Sequence, residues 1–266
     1  MSKYYAASDI TVIICAYKEC SYLEECIKSI LAQSEKVIVK ISTSTPNKYI
    51  NDLAKKYNLE VLINPHGGHT QDYNFALNNI KTKLGVLAHQ DDLLQTDYIR
   101  CCLKKLNKSR KPIIVFTDYL EIHNDKVDLK PSKMIQIKKI LMWPVRIKWL
   151  RGKKIGKRML QCIGNPITHP SVMYVMKEMP QICFRENYKA SMDWDLWERL
   201  SKQKGEFLYV NQALLFHRMN EENTTAILFK TTNYRYQEDL EILERFWPKY
   251  IAKIIMKFYS KTQNYY

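Results

Sequence analysis

Between Ile10 and Tyr119 short apolar runs alternate with helix-period stretches, a pattern that few architectures accept. Ile10 to Ala16 (ITVIICA) is rich in β-branched residues and is predicted as a buried strand. Ser21 is placed to cap a helix whose apolar side is Leu23, Cys26, Ile27, Ile30 and Leu31. Val37 to Ile41 reads as a second strand. Thr45 and Pro46 then offer an N-cap and a first-turn proline to a helix burying Ile50, Leu53, Ala54 and Tyr57. Leu59 to Ile63 is a third strand, Pro65-His66-Gly67-Gly68 a loop, and Thr70 opens a helix carrying Tyr73, Ala76, Leu77 and Ile80. Leu84 to Ala88 is a fourth strand, a helix with Ile99, Cys102, Leu103 and Leu106 begins near Gln95, and Ile113 to Phe116 is a fifth strand. Strands and helices in this order build βαβ units and a mostly parallel central sheet with flanking helices, an α/β fold.

The alternation stops near Tyr119. Beyond it come a basic stretch, a Gly164-Asn165-Pro166 turn, short strands at Val172 to Val175 and Phe207 to Val210, and a helix beginning near Asp193. A helical region from about Asn233 forms a C-terminal extension. The division expected is residues 1–230 as one domain and 231–266 as the extension. Within the domain, 1–119 and 120–230 are two halves, and 126–158 is a basic amphipathic segment of the second.

The fourth strand runs straight into His89-Gln90-Asp91-Asp92. In open α/β sheets ligands bind beyond the carboxyl ends of the strands. Two adjacent carboxylates at that edge suit Mn²⁺ or Mg²⁺, hard cations held by few carboxylates plus substrate phosphates. The plainer reading is that Asp91 and Asp92 only cap the helix near Gln95. A net charge of +15 favours anionic partners such as nucleotides, nucleic acid or acidic lipid. Seven cysteines, odd in number and without a C-x-x-C pair, argue against a disulfide framework or zinc site and for a reducing compartment. With neither a signal-peptide pattern nor an apolar run long enough to span a bilayer, a cytoplasmic protein is expected.

Several stretches in order resemble the family-2 glycosyltransferases of the GT-A (nucleotide-diphospho-sugar transferase) fold, over nearly the whole chain. Ile13-Ile14-Cys15-Ala16-Tyr17-Lys18-Glu19 is similar to the family's first strand and donor-nucleotide loop. Asp72-Tyr73-Asn74-Phe75-Ala76-Leu77 resembles its helix over the donor site, and His89-Gln90-Asp91-Asp92 its D-x-D metal motif. Met192-Asp193-Trp194-Asp195-Leu196-Trp197 resembles the segment that holds the catalytic base. Phe216-His217-Arg218-Met219-Asn220 and Asn223-Thr224-Thr225 resemble the segment that closes over the diphosphate. The pattern is not followed everywhere. His89 stands for the first Asp of D-x-D, Ile41-Ser42-Thr43-Ser44 replaces acidic residues after the second strand, Tyr73 an arginine, Met192 a glutamate, and Asn220 a histidine.

The resemblance implies an inverting transfer of a sugar from a nucleotide diphosphate, a UDP-sugar by expectation, to a glycan or lipid-linked acceptor in cell-surface polysaccharide synthesis. Asp193 is the expected base, because an acceptor hydroxyl of very high pKa needs a carboxylate to take its proton. Its plainer role is a helix N-cap with Asp195 in the first turn. Asp91, with Asp92 second, is the expected ligand of a cation that neutralises the leaving diphosphate. Ala16, Tyr17, Glu19, Ser42, Asn74, His89, Gln90, His217 and Arg218 are the expected donor-binding residues, with Tyr17 stacked on the base and His217 and Arg218 at the diphosphate. Tyr17 could equally be a partly buried core residue. Trp194 and Trp197, three apart on a helix, fit core packing better than sugar stacking. His66, His69 and His89 lack ligand spacing as a set and read as solvated loop residues.

Two other readings compete. A nucleic-acid-binding module suits the charge but has no recognisable motif, and nucleic acid is not an expected partner. A metal-dependent nucleotidyltransferase would want a glycine-rich basic loop after the first strand, which Tyr17-Lys18-Glu19-Cys20 is not. Residues 126–158 hold twelve Lys and Arg against Asp128 alone, so a net +11 lies there, interleaved with Ile137, Ile140, Trp143 and Trp149 among other apolar residues. Pro144 should kink or split the helix. Tryptophan and cations on an amphipathic segment mark a helix lying in a membrane interface, so peripheral binding on the inner face of the membrane is expected; a solvated helix packed on the domain is the alternative.

Overall fold

The computed structural model describes residues 4–181, 183–219 and 234–263, with side chains through 260. The second quoted stretch of the closing segment, residues 223–225, and Asn220 lie outside the described residues. The elements are β1 (Ile10–Ala16), α1 (Leu23–Leu31), β2 (Ile38–Thr43), α2 (Lys48–Lys56), β3 (Glu60–Ile63), α3 (His69–Asn78), β4 (Leu84–His89), β5 (Leu93–Leu94) and α4 (Tyr98–Leu106). There follow β6 (Pro112–His123), β7 (Lys126–Val127), α5 (Lys133–Leu141), α6 (Trp143–Arg146), α7 (Lys154–Met159), β8 (Val172–Val175), α8 (Met192–Ser201), β9 (Glu206–Arg218), α9 (Tyr234–Glu244) and α10 (Lys249–Gln263).

A single nine-stranded sheet, in the order β3-β2-β1-β4-β8-β6-β9-β5 with β7 beside β6, spans both halves. β3, β2, β1 and β4 are mutually parallel, as is β6 with β9. β8 runs antiparallel between β4 and β6, so the sheet is mixed at its centre, and β6 itself runs through the expected boundary at residue 119. One apolar cluster covers the face toward α1, α2 and α4, the other the face toward α3, α8 and the C-terminal helices. β1 and β4 are covered on both faces, and this is why their sequences are nearly continuous apolar runs.

Several helix starts differ from expectation. α1 begins at Leu23 behind Tyr22, with no side-chain cap from Ser21; Glu24 and Glu25 in its first turn face the positive end of the helix dipole. α2 is capped by Asn47, whose Oδ1 accepts from Ile50 N at 2.9 Å, while Thr45 Oγ1 accepts from Lys18 N at 2.6 Å. α4 begins only at Tyr98, after β5, so Asp91 and Asp92 cap no helix. Gly67 and Gly68, at φ 65° and 109°, make the left-handed turn into α3. Pro144 does split the basic segment: α5, α6 and α7 are three short helices, with Pro144 in the first turn of α6.

Candidate active site

The carboxyl ends of β1 and β4 lie side by side, and Gln90 fastens them. Its Oε1 accepts from Tyr17 N at 2.8 Å and its Nε2 donates to Tyr17 O at 3.1 Å. Tyr17 itself is 51% exposed, so it is no core residue, and the Lys18 ammonium lies 5.2 Å from its ring centroid. Ala16 is buried beneath it and Glu19 is exposed. Ser42 is buried at the end of β2.

Asp92 is buried and anchored: Oδ1 accepts from Arg218 N at 3.0 Å and lies 2.8 Å from His217 Nδ1. Its Oδ2 is buried without a hydrogen-bond partner among the described residues. Ligand atoms of His89, Asp91 and Asp92 all lie within 4.8 Å of one another, a set able to hold one divalent cation. The orphaned oxygen fits that use, since burial leaves it no water to bond. His89 is thus no solvated loop histidine; it closes β4, with Nε2 3.0 Å from Tyr73 Oη and 3.2 Å from His169 Nδ1. Burial pushes its pKa down to about 4, so the ring is neutral and free to offer a lone pair. Burial, then the neighbouring Asp92 charge, push the Asp91 carboxyl up to about 6. Burial also works against the charge on Asp92, but His217 and its hydrogen bonds hold that pKa below the usual carboxylate range.

Arg218 is not an open cation for a diphosphate. It is 3% exposed; Nε donates to Asp91 O at 3.1 Å, Nη2 to Glu25 Oε2 at 2.9 Å, and Nη1 pairs with Asp125. Its guanidinium centre also stacks 3.8 Å from the Tyr22 ring centroid. Asp125 is presented by a two-residue turn between β6 and β7 with Asn124 at φ 48° and Asp125 at φ 60°, the conformation of tight hairpin turns. Arg218 therefore braces the loop carrying Asp91. Nor does Asn74 face a ligand: its amide bonds Phe184 O at 2.7 Å and accepts from Phe184 N at 2.8 Å. His217 turns toward Asp92.

Asp193 occupies the first turn of α8, half-buried. Oδ2 accepts from Asn165 Nδ2 at 2.8 Å and Oδ1 from Trp194 N at 2.7 Å. Burial raises its pKa, while Arg235 and these two donors oppose the rise. Asp195, by contrast, is a structural anchor. It is fully buried, 2.8 Å from Arg199 Nε, 2.7 Å from Arg245 Nη1 and 3.5 Å from Arg185 Nη1. Trp194 and Trp197 are core residues, Trp197 stacking on Tyr174 with centroids 6.0 Å apart.

Tyr73 borders the cation end of the site, its Oη 3.0 Å from His89 Nε2. Its hydroxyl, already pushed well up by burial, feels the charges of Asp91, Asp92 and Asp193 together. His169, buried, packs 4.9 Å from the same ring. Sequence reasoning passed over His169, Asn165 and Asp72. Asp72 accepts from Ser44 Oγ at 2.8 Å and Asn64 Nδ2 at 2.7 Å, which puts a carboxylate beside the end of β2, where the sequence itself has none. An acid inside the α3 stretch was the available signal; the other two carry none.

The arrangement can hold a cation, bind a nucleotide on the β1 edge and take a proton on the α8 side. A family profile described as Glycosyl transferase family 2 matches residues 11–179. An uncharacterized glycosyltransferase from Rickettsia typhi is 22% identical over 255 residues, 92% of this chain and 72% of that protein. Its counterpart in Rickettsia prowazekii is 23% identical over the same shares. Among solved structures, S. aureus TarS in complex with UDP-GlcNAc superposes with a TM-score of 0.66 at 13% identity, over 93% of this chain and 70% of that one. The mannosyltransferase PcManGT from Pyrobaculum calidifontis, with GDP-Man and Mn²⁺, gives 0.67 at 13%, over 95% and 70%. Glucosyl-3-phosphoglycerate synthase from Mycobacterium tuberculosis, with Mn²⁺ and UDP-glucose, gives 0.54 at 13%, over 83% and 78%.

Proposed function

The chain belongs to glycosyl transferase family 2, a nucleotide-sugar transferase family, and on that footing we propose an inverting transfer from a UDP-sugar to a glycan or lipid-linked acceptor in cell-surface polysaccharide synthesis. The observation that carries the proposal is the His89–Asp91–Asp92 group at the carboxyl end of β4, where Asp92 Oδ2 is buried without a hydrogen-bond partner among the described residues. Asp193 takes the proton of the acceptor hydroxyl as that oxygen attacks the anomeric carbon and the diphosphate leaves; a carboxylate with a raised pKa is a stronger base for the task. A single displacement from one face inverts the anomeric centre. Asn165 aims the carboxylate, and Gln90 holds the nucleotide loop against the metal loop. Tyr17, half exposed, stacks the nucleobase, and Asp72 with Ser44 supplies polar contacts at the end of β2.

Asp91, Asp92 and His89 would hold Mn²⁺ or Mg²⁺. When bound, such an ion supplies charge neutralisation to the leaving diphosphate. Mn²⁺ is supported by PcManGT and the mycobacterial synthase, both seen with it; UDP is seen with TarS and the synthase, GDP with PcManGT.

Among the described residues no helix is long and apolar enough to cross a membrane. We place the reaction in the cytoplasm, at the inner face of the membrane, with the basic segment as one contact. Ile140, Trp149 and Ile155 are 69%, 68% and 63% exposed there, with Lys133, Lys148, Lys153 and Lys154 exposed nearby in sequence. Other cations of the segment serve the fold. Lys157 is buried and donates to Gly205 O at 2.9 Å, Arg158 pairs with Glu198, and Arg151 lies 3.2 Å from Glu206.

Thermal-shift measurements with UDP- and GDP-sugars, with and without Mn²⁺, test the donor. A UDP-sugar at 100 times its dissociation constant stabilises by about 2.7 kcal/mol, and the shift should require Mn²⁺. A GDP-sugar preference would overturn the donor assignment, and no metal-dependent shift with any nucleotide sugar would overturn the reading.

A further inference from the structure

The last helix carries two parallel outward stripes. Lys249, Lys253 and Lys257 are exposed four residues apart, and beside them Tyr250, Ile254 and Phe258 are 69%, 57% and 65% exposed. The opposite side is buried through Ala252 and Met256. A helix placed so needs no exposed Ile or Phe to fold, and three in line on one face are a patch rather than scattered surface residues. At helical periodicity the lysines flank the apolar stripe, so their stems can cover it while the ammonium groups reach outward.

A second copy of the chain fits this face poorly. From Lys249 to Gln263 there is no Asp or Glu, so two such helices would oppose cation to cation. An anionic surface with an apolar interior satisfies both stripes at once, and acidic lipid has that chemistry. Just before α10, Phe246 and Trp247 line a groove with Lys154, Ile155, Arg158, Met159 and Cys162. Trp247 is fixed there by Nε1 donating to Cys162 O at 2.7 Å.

This helix also reaches the base. Next to exposed Phe258, Tyr259 turns inward: Asn165 N donates to its hydroxyl at 3.4 Å, and its ring lies edge-on to Trp194 at 5.7 Å. Asn165 is the residue whose side chain holds Asp193. We infer that the Tyr250–Ile254–Phe258 face of α10 lies in the interface of an anionic membrane, so that a lipid-linked acceptor approaches Asp193 from the side of this helix. The direction of approach rests on Asp193 as base; the membrane contact does not.

Flotation of the full chain with vesicles tests the contact. One set is neutral phosphatidylcholine, the other phosphatidylcholine mixed with anionic phosphatidylglycerol. The protein should float with the anionic set only, and less at high salt. Ile254→Glu with Phe258→Glu should lower the bound fraction at least about tenfold, as charges placed in the interface resist burial. Lys249, Lys253 and Lys257 changed together to Gln should lower it in the anionic set. Both variants change exposed side chains, so their melting temperature and metal-dependent nucleotide-sugar shift should match the parent. Flotation unchanged by either variant, no flotation of the parent, or lipid-free dimerisation that the Glu variant abolishes would each overturn the inference. Loss of flotation with Trp149→Glu alone, the α10 variants floating normally, would assign the contact to the basic segment instead. A failed nucleotide-sugar shift with intact flotation would strike the transferase reading and leave the membrane face standing.

Discussion

Asn165 donates to Asp193 Oδ2 over 2.8 Å, and with Trp194 N on Oδ1 this contact fixes where the proposed base points. Burial raises the Asp193 pKa, and the Asn165 hydrogen bond opposes the rise by favouring the charged form. A base works only when deprotonated, so the transfer rate should fall as pH drops through the folded-state pKa. In Asn165→Ala that acidic limb should move to higher pH, because an opposing interaction is gone. Asp193→Asn should keep donor binding and lose transfer by a factor on the order of 10²–10⁴. Initial rates across pH at saturating donor decide both. An acidic limb unmoved in Asn165→Ala removes Asn165 from its positioning role, and near-parental turnover in Asp193→Asn removes the base.

Metal-dependent binding should have its own pH signature. Asp91 stands at about 6, above an ordinary carboxylate, through burial and the charge of Asp92. Below that pH it is protonated and a poorer ligand, so Mn²⁺-dependent nucleotide affinity should weaken as pH falls through about 6. Asp91→Asn should abolish the Mn²⁺ dependence at every pH with little change in melting temperature. Isothermal titration at pH values on either side of the transition is the measurement, and parental Mn²⁺-dependent binding in Asp91→Asn would sink the ligand assignment.

Asp195 and Asp193 should part company on stability. Asp195 is fully buried among Arg185, Arg199 and Arg245, and removing one partner of a buried ion pair costs about 3–5 kcal/mol. Asp195→Asn should therefore lower the denaturant midpoint strongly, whereas Asp193→Asn should leave it near the parent. Chemical denaturation followed by circular dichroism checks this; equal stability of the two variants would refute the division of roles.

Tyr17 and Trp197 offer the same contrast among aromatics. Tyr17→Ala should weaken nucleotide binding by about 1–3 kcal/mol, as for loss of a base-stacking ring, with the fold untouched. Trp197, fully buried against Tyr174, should cost about 3–5 kcal/mol of stability on truncation to Ala. Fluorescence titration with UDP and thermal melts of both variants test the pair; tight UDP binding by Tyr17→Ala would exclude the stacking role.

What the sequence made legible was periodic. β1, β4 and β8 fall where their apolar runs put them, because strands covered on both faces announce themselves without polar interruption. β6 and β9 run far past the expected Ile113–Phe116 and Phe207–Val210. Their pairing shifts register around Thr117 and Asp118, and the polar residues at that irregularity break the run that would have revealed the strand. At the site, Asp91 and Asp193 could be singled out since each sits at an element end. Arg218 could not be read, because its partners come from far along the chain, Glu25 from the first turn of α1 and Asp125 from the β6–β7 turn. The anchoring of Asp195 was hidden for the same reason: Arg245 approaches it from the end of α9. The basic segment misled in another way, since counting charges does not show that Lys157 is buried against backbone carbonyls.

Gln90 bonds a single residue across the sheet edge, yet its two hydrogen bonds to Tyr17 N and O tie the loop after β1, the proposed nucleotide loop, to the loop after β4, the proposed metal loop. Two loops that order independently on binding each lose conformational entropy at that moment, whereas here the loss is taken once, when the chain folds. A donor would therefore meet a surface whose two halves already share one orientation. Its association should be limited by encounter rather than by loop search, so the on-rate for UDP should fall in inverse proportion to solvent viscosity.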